Sequence, residues 1–264
     1  MSIAATICLF AICSFAGWLW ETLYAIITTG KWERRGFLYG PVCPIYGVGV
    51  VSIILLVRTV SGVEPLESDW WRVFLVSCFG AMLLEFVTSW VMEKLFNAYW
   101  WDYSNIPTNI QGRTCLPAGL VFGLGGILAV YVVMPAVNSA TTVIPELAFQ
   151  IASYIIVAIT FMDITTTVSV LTDFEDKIIA ANDNINTKAE NLTELVASKV
   201  SQTPGIIVES GEKLEHRATQ AVISSMDSLH KSALSRVRGF RSAKKPEISE
   251  ALSWSLEYLK SLRK

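Results

Sequence analysis

Three acidic residues lie deep inside apolar stretches of the sequence, where an ionised group is costly. Glu21 occurs in "AGWLWETLYA", Glu85 in "GAMLLEFVTS" and Asp163 in "AITFMDITTTVS". A carboxylate at the centre of a bilayer costs about 2.5–3.5 kcal/mol on insertion scales, so its presence in such a stretch needs a reason. These residues are therefore candidates to bind a cation or a substrate amine, to relay protons, or to form structural ion pairs with arginine.

The stretches that hold these acids are long enough to cross a membrane. A spanning helix needs about 20 mostly apolar residues. Five segments of the 264-residue chain meet that requirement, at about residues 3–29, 37–60, 70–95, 115–137 and 145–171. The sequence therefore predicts an all-α polytopic membrane protein with five transmembrane helices. The three acids lie at similar fractions of the length of helices that are predicted to run in the same direction. We therefore expect them at a similar depth in the membrane.

Charge divides the chain into two parts. Only seven of the 21 lysines and arginines lie in residues 1–172, and the remainder lie in residues 173–264. We therefore expect a transmembrane domain over 1–172 and a helical tail over 173–264. A weak heptad stripe over residues 178–195 and an amphipathic segment over 247–262 favour a tail that supports assembly or binds a partner.

The distribution of basic residues predicts the orientation. Positively charged loops remain on the cytoplasmic side of a membrane. We therefore place the N-terminus outside the cell and the tail in the cytoplasm, with the chain in the cell membrane. The basic residues of the first and third loops are Lys31, Arg34, Arg35, Lys94 and Arg113, whereas the opposite side holds Arg58 and Arg72.

A pattern of glycine and proline occurs twice. The stretch "GFLYGPVCPIYGVG" carries a spacing that returns 76 residues later, and one acid-bearing helix precedes each copy. We interpret this as an internal repeat of a two-helix unit, whose copies are parallel because each unit holds an even number of spans. The matching residues are Gly36, Pro41, Gly47 and Gly49 in the first copy, and Gly112, Pro117, Gly123 and Gly125 in the second.

Interrupted helices in matching places of two repeats are typical of a transporter's binding site, because non-helical backbone at membrane depth must line protein or a wet cavity. Close packing of helices through glycine is the alternative interpretation. The predicted site combines the three acids with residues that frame them, namely Tyr39, Pro41, Tyr46 and Pro117. Gate or salt-bridge positions are assigned to Arg35, Arg113 and Asp102. For Asp102, capping of its own loop is the favoured alternative.

Several chemistries find no support in the sequence. The five cysteines lie apart from the two histidines and form no CxxC pair, so we expect no metal, haem or other cofactor. No recognisable nucleophile or phosphate-binding loop occurs, and the chain is not expected to be an enzyme. The basic stretch at 236–245 favours anionic lipid over nucleic acid, since aromatic residues do not alternate with its charges.

Residues 5–172 resemble a family of small bacterial membrane proteins labelled putative ABC-transporter type IV, or CmpB-like. The resemblance rests on "RRGFLYGPVCPIYGVG", on the preceding "GWLWETLY", and on "WWDYS" followed by a glycine-led span. It implies a permease-like role. Coupling to ATP would then require a separate subunit, because no ATP-binding domain is recognisable in the sequence.

These observations lead to one functional hypothesis and one alternative. The first is a permease or channel-like component that moves a small polar or cationic solute past the buried acids. The alternative is a membrane scaffold or sensor that transports nothing and whose tail binds partners. Membrane lipids, a second copy of the chain and other membrane or cytoplasmic subunits are the expected partners.

Overall fold

The computed structural model describes residues 1–32, 35–61, 64–197 and 228–240. The fold is mostly helical, in agreement with the predicted class. The helices are α1 (Ile3–Thr29), α2 (Pro44–Ser61), α3 (Trp70–Phe96), α4 (Leu116–Leu128), α5 (Met134–Val143), α6 (Glu146–Ala197) and α7 (Ser228–Leu234), and the two-residue strands are β1 (Ala98–Tyr99), β2 (Asn109–Ile110), β3 (Thr114–Cys115) and β4 (Gly239–Phe240).

Four helical stretches in the described residues are long and apolar enough to cross a membrane, so the chain is a multi-pass membrane protein. They match the first, third, fourth and fifth predicted spans closely, because uninterrupted apolar sequence of this length favours helix in lipid. Their bounds are Ile3–Thr29, Trp70–Phe96, Leu116–Val143 and Glu146–Asp173.

The second predicted span differs from the structure. Instead of a helix from residue 37, the chain is non-helical up to Cys43. The apolar part of α2, Pro44–Val57, is shorter than the length that a membrane-spanning helix needs. Gly36 has a φ of +94°, which interrupts a right-handed helix. Pro44 then begins α2, where its missing amide hydrogen removes no helical hydrogen bond.

The fourth span contains a local π-helical turn at Ala129–Val133, between α4 and α5. Pro135 follows that turn and has no amide hydrogen to donate to the preceding turn of helix. The helix widens just before the proline, and the amide of Met134 donates to the carbonyl of Ala129. This shift lets one helix continue from residue 116 to residue 143 in spite of the proline.

Buried apolar side chains join the helices of the membrane region. Leu9 and Cys13 of α1 pack with Val137 of α5, while Ala5 and Phe149 join α1 to α6. A third cluster connects α2, α3 and the π-helical turn, and it consists of Ile53, Val57, Val73 and Val130. All five cysteines are buried free thiols.

The chain forms two compact units, one of residues 1–91 with 100–166 and one of residues 92–99 with 167–264. In the second unit, β1 pairs with β4 in antiparallel register. Helix α6 continues without interruption through the predicted domain boundary at 172/173, and the division at that point stays a prediction. Beyond residue 197, the predicted helical tail is described only over residues 228–240, which include α7, and the amphipathic segment 247–262 lies outside the described residues.

Candidate functional site

Glu85 is buried in α3 with both carboxylate oxygens hydrogen-bonded. Its side chain is 6% exposed. The Tyr103 hydroxyl donates to Oε1 at 3.0 Å, and the Thr114 hydroxyl donates to Oε2 at 2.9 Å. Hydrogen bonds to an ionised group are about twice as strong as those between neutral groups, so two hydroxyl donors offset part of the cost of burying this carboxylate.

The segment between α3 and α4 supplies both donors. Strands β2 and β3 form a hairpin that carries Thr114, and Gly112 takes a φ of +68° at its turn. The Tyr103 amide donates to the Gly112 carbonyl at 2.8 Å, and the Trp101 indole donates to the Arg113 carbonyl at 2.8 Å. The hairpin therefore fixes Tyr103 and Thr114 against the same acid, although they are 11 residues apart in the sequence.

Tyr103 lies within electrostatic reach of two of the predicted acids. Burial raises the pKa of the Tyr103 phenol, and the negative charges of Glu85 and Glu21 raise it further. The phenol therefore stays protonated across the physiological range and serves as a hydrogen-bond donor. Tyr103 therefore feels the charge of both carboxylates, although only Glu85 is hydrogen-bonded to it.

Glu21 contacts the first glycine-rich stretch through a tyrosine. The Tyr46 hydroxyl donates to Oε1 of Glu21 at 2.6 Å, which joins α1 to α2. The Tyr46 ring lies against Gly17, where an added Cβ would stand 2.2 Å from the ring. Glycine at that position is therefore what lets the tyrosine lie flat enough on α1 to reach the acid.

Asp163 of α6 holds the non-helical segment that precedes α2. Its two carboxylate oxygens accept from the backbone amides of Tyr39 at 2.8 Å and Gly40 at 2.7 Å. Neighbouring amides are also bonded, since Val42 donates to the Gly40 carbonyl. The amides of Tyr39, Gly40 and Val42 are thus hydrogen-bonded within the protein.

The two predicted arginines are half-buried near this region. One terminal nitrogen of Arg113 donates to the Ser89 hydroxyl at 3.4 Å, and the guanidinium lies over the Phe86 ring with 5.8 Å to its centroid. Among the described residues, neither Glu21 nor Glu85 makes an ion pair. These two acids are therefore held by hydroxyl groups rather than by a direct guanidinium contact.

The remaining predicted site residues lie at the margin. Asp102 is exposed and accepts from the amide and hydroxyl of Ser104, at 2.9 and 2.5 Å, which closes a local turn. Pro41 and Pro117 are exposed, and Pro117 occupies the first turn of α4. Their positions shape the backbone around the acids without bringing the proline rings to them.

Tyr103 and Thr114 are functional candidates that the sequence alone did not identify. Tyr103 adjoins Asp102 in "WWDYS", so the aromatic residues of that motif were the available signal. No feature of the sequence singled out Thr114, because a lone threonine after an arginine is common in loops. In the described residues, no group of three or more His, Cys, Asp or Glu side chains could hold a metal ion.

Comparison with known proteins gives a family for this chain. The model of the family described as "Putative ABC-transporter type IV" matches residues 8–168. That range contains Glu21, Glu85 and Asp163. No curated protein and no solved structure matches the chain.

Proposed function

The chain belongs to the family described as putative ABC-transporter type IV, and on that premise we propose that it is the membrane permease component of a transport system. Its cargo is a small polar or cationic solute. The observation that carries this proposal is that two carboxylates in the apolar helices, Glu21 and Glu85, are each held by a tyrosine hydroxyl. Tyr46 donates to Glu21, and Tyr103 donates to Glu85. Acids inside a membrane domain are costly and commonly mark the path of an ion or substrate.

The two carboxylates have different roles in this proposal. Glu85 is buried, and Tyr103 and Thr114 occupy both of its oxygens, so its role is to hold the segment that carries these two hydroxyl groups. Glu21 is half-buried, and its Oε2 accepts no hydrogen bond from the part of the chain that the structure describes. Glu21 is therefore the acid that meets the solute, and an ammonium or other cationic group is the complementary chemistry.

An internal repeat explains how the site is built. Gly36 and Gly112, at matching positions, both have positive φ. Gly47 faces the Phe10 ring, and Gly123 faces the Phe74 ring in the same manner. These four positions support two related units, each made of an acid-bearing helix and a glycine-led helix. In this arrangement α2 acts as a fifth, short membrane element.

The remaining features of the proposal concern the cell and the partners. We place the N-terminus outside the cell and the tail in the cytoplasm, as the basic loops indicate. The membrane is the bacterial inner membrane, as the resemblance to the family implies. A separate ATP-hydrolysing subunit would supply the energy, and the tail would support assembly with that subunit or with a second copy. Membrane lipids surround the apolar faces, such as that of Ile155 and Phe161 on α6, which are exposed.

Transport by the purified chain tests this proposal. Reconstituted vesicles would be loaded with buffer and supplied with labelled methylammonium or choline as cationic probes. We expect entry above that of vesicles without protein, and loss of that excess in the double variant Glu21→Gln/Glu85→Gln. The assay would be repeated with the cell's own membrane partners present. Probe entry equal to that of protein-free vesicles under both conditions would refute the permease assignment and favour the scaffold.

A further inference from the structure

The tail returns to the end of α3 and pairs with the chain there. Strand β4 lies antiparallel to β1, with Ala98 opposite Phe240 and Tyr99 opposite Gly239. The amide of Arg238 also donates to the Tyr99 carbonyl at 2.8 Å. Residues more than 130 positions apart in the sequence thus share one backbone ladder.

The pairing is tightly packed. Ala98 is 0% exposed, and Val237 is 1% exposed in the turn that leads into β4. A Cβ added to Gly239 would stand 2.4 Å from the Tyr99 hydroxyl oxygen, so the tyrosine ring covers the glycine backbone. A side chain at position 239 would therefore have to displace the Tyr99 ring that covers the glycine, which would disturb the packing of the strand pair.

Strand β1 occupies a sensitive place in the chain. It follows the last turn of α3, the helix that carries Glu85, and Tyr99 precedes Tyr103 by four residues. The segment from 100 to 115 then provides both hydroxyl donors of Glu85. Whatever holds β1 thereby holds one end of the segment that hydrogen-bonds the buried acid.

We propose that the β1–β4 pair is a latch through which the tail fixes the segment 100–115 against Glu85. Release of β4 would free β1 and loosen the Tyr103 and Thr114 hydrogen bonds. A ladder of two residues is marginal by itself, so such a latch can open without unfolding the helices. A partner of the tail would then control the acid without touching it. The latch does not depend on which solute is moved.

Hydrogen exchange of the full-length protein in lipid nanodiscs tests the latch. In Gly239→Val we expect the amides of Tyr103 and Arg113 to exchange roughly tenfold faster, since these amides depend on local closure of the segment. Ser228→Ala, at an exposed position of α7, serves as the control and should exchange like the wild type. Faster exchange confined to residues 238–240 would overturn the proposal.

A second variant decides the matter if Gly239→Val fails to fold. Opposed residues in an antiparallel pair are close enough for a disulfide, so Ala98→Cys with Phe240→Cys can lock the strands. Oxidation should slow exchange at Tyr103 and Arg113 relative to the same protein after reduction. Equal exchange in the two states, with the crosslink verified by mass, would show that the tail strand does not hold the segment.

Discussion

Tyr46 and Phe122, which are 76 residues apart at matching places of the two glycine-rich stretches, pack against each other with ring centroids 5.8 Å apart. A contact between equivalent positions is expected when two related two-helix units pack around a common axis, and it supports the internal repeat proposed above. Tyr46 also carries the hydroxyl that Glu21 binds, whereas Phe122 has none. The two matching positions thus pack against each other, and only Tyr46 carries a hydroxyl group.

Removal of the Tyr46 hydroxyl should separate its two roles. Tyr46→Phe keeps the ring contact with Phe122 and deletes the donor to Glu21. We expect a loss of about 1.5–3 kcal/mol in the free energy of unfolding, the usual worth of a hydrogen bond to a charged group. Denaturant unfolding in detergent measures it. Tyr154→Phe, at an exposed position of α6, is the control and should change stability little.

Asp163 is predicted to be a structural residue of the segment before α2. Asp163→Ala leaves the amides of Tyr39 and Gly40 without their acceptor, and each buried unsatisfied amide costs about 1–3 kcal/mol. Asp163→Asn retains one acceptor oxygen and should fall between the alanine variant and the wild type. Thermal unfolding would rank the three proteins. A melting temperature for Asp163→Ala equal to that of exposed Asp173→Ala would contradict the assignment.

Glycine at the helix contacts should be irreplaceable, whereas glycine nearby should not. Gly47→Ala would place a methyl group 2.3 Å from the Ser14 hydroxyl, and Gly123→Ala would place one 2.6 Å from the Phe74 ring. Such overpacking typically costs about 1–3 kcal/mol. Gly125 has no neighbour within 4 Å of an added Cβ, so Gly125→Ala should be neutral or slightly stabilising. Equal stability of all three variants would argue against close helix packing at the repeat.

Hydropathy was sufficient to locate most of the helices. Four spans were predicted to within a few residues at their N-terminal ends, because twenty apolar residues in lipid have few alternatives to helix. Hydropathy misplaced the start of the second span, because the aromatic residues Phe37 and Tyr39 make residues 37–43 look like part of a membrane helix. The local conformations of Gly36 and Pro44 decide that region, and they carry no weight in an average.

The sequence singles out the three acids as candidates, but it does not indicate their hydrogen-bond partners. Glu21, Glu85 and Asp163 are conspicuous because charge is rare in apolar sequence. Their hydrogen-bond partners come from segments up to 124 residues away along the chain. Nothing in the sequence indicates that Thr114 meets Glu85, since that contact depends on the β2–β3 hairpin. Nor does the sequence indicate that Asp163 accepts from the amides of Tyr39 and Gly40.

The role of Glu21 can be tested most directly by comparing single carboxylate variants in one vesicle assay. Glu21→Gln keeps the size and polarity of the side chain and removes its charge, and Glu67→Gln does the same at an exposed acid in the short 3₁₀ turn. We predict that Glu21→Gln lowers methylammonium or choline flux by roughly tenfold or more, as expected for loss of a charged contact to the solute, while Glu67→Gln leaves the flux at the wild-type value. Equal fluxes in the two variants, at equal amounts of folded protein, would contradict a solute site at Glu21.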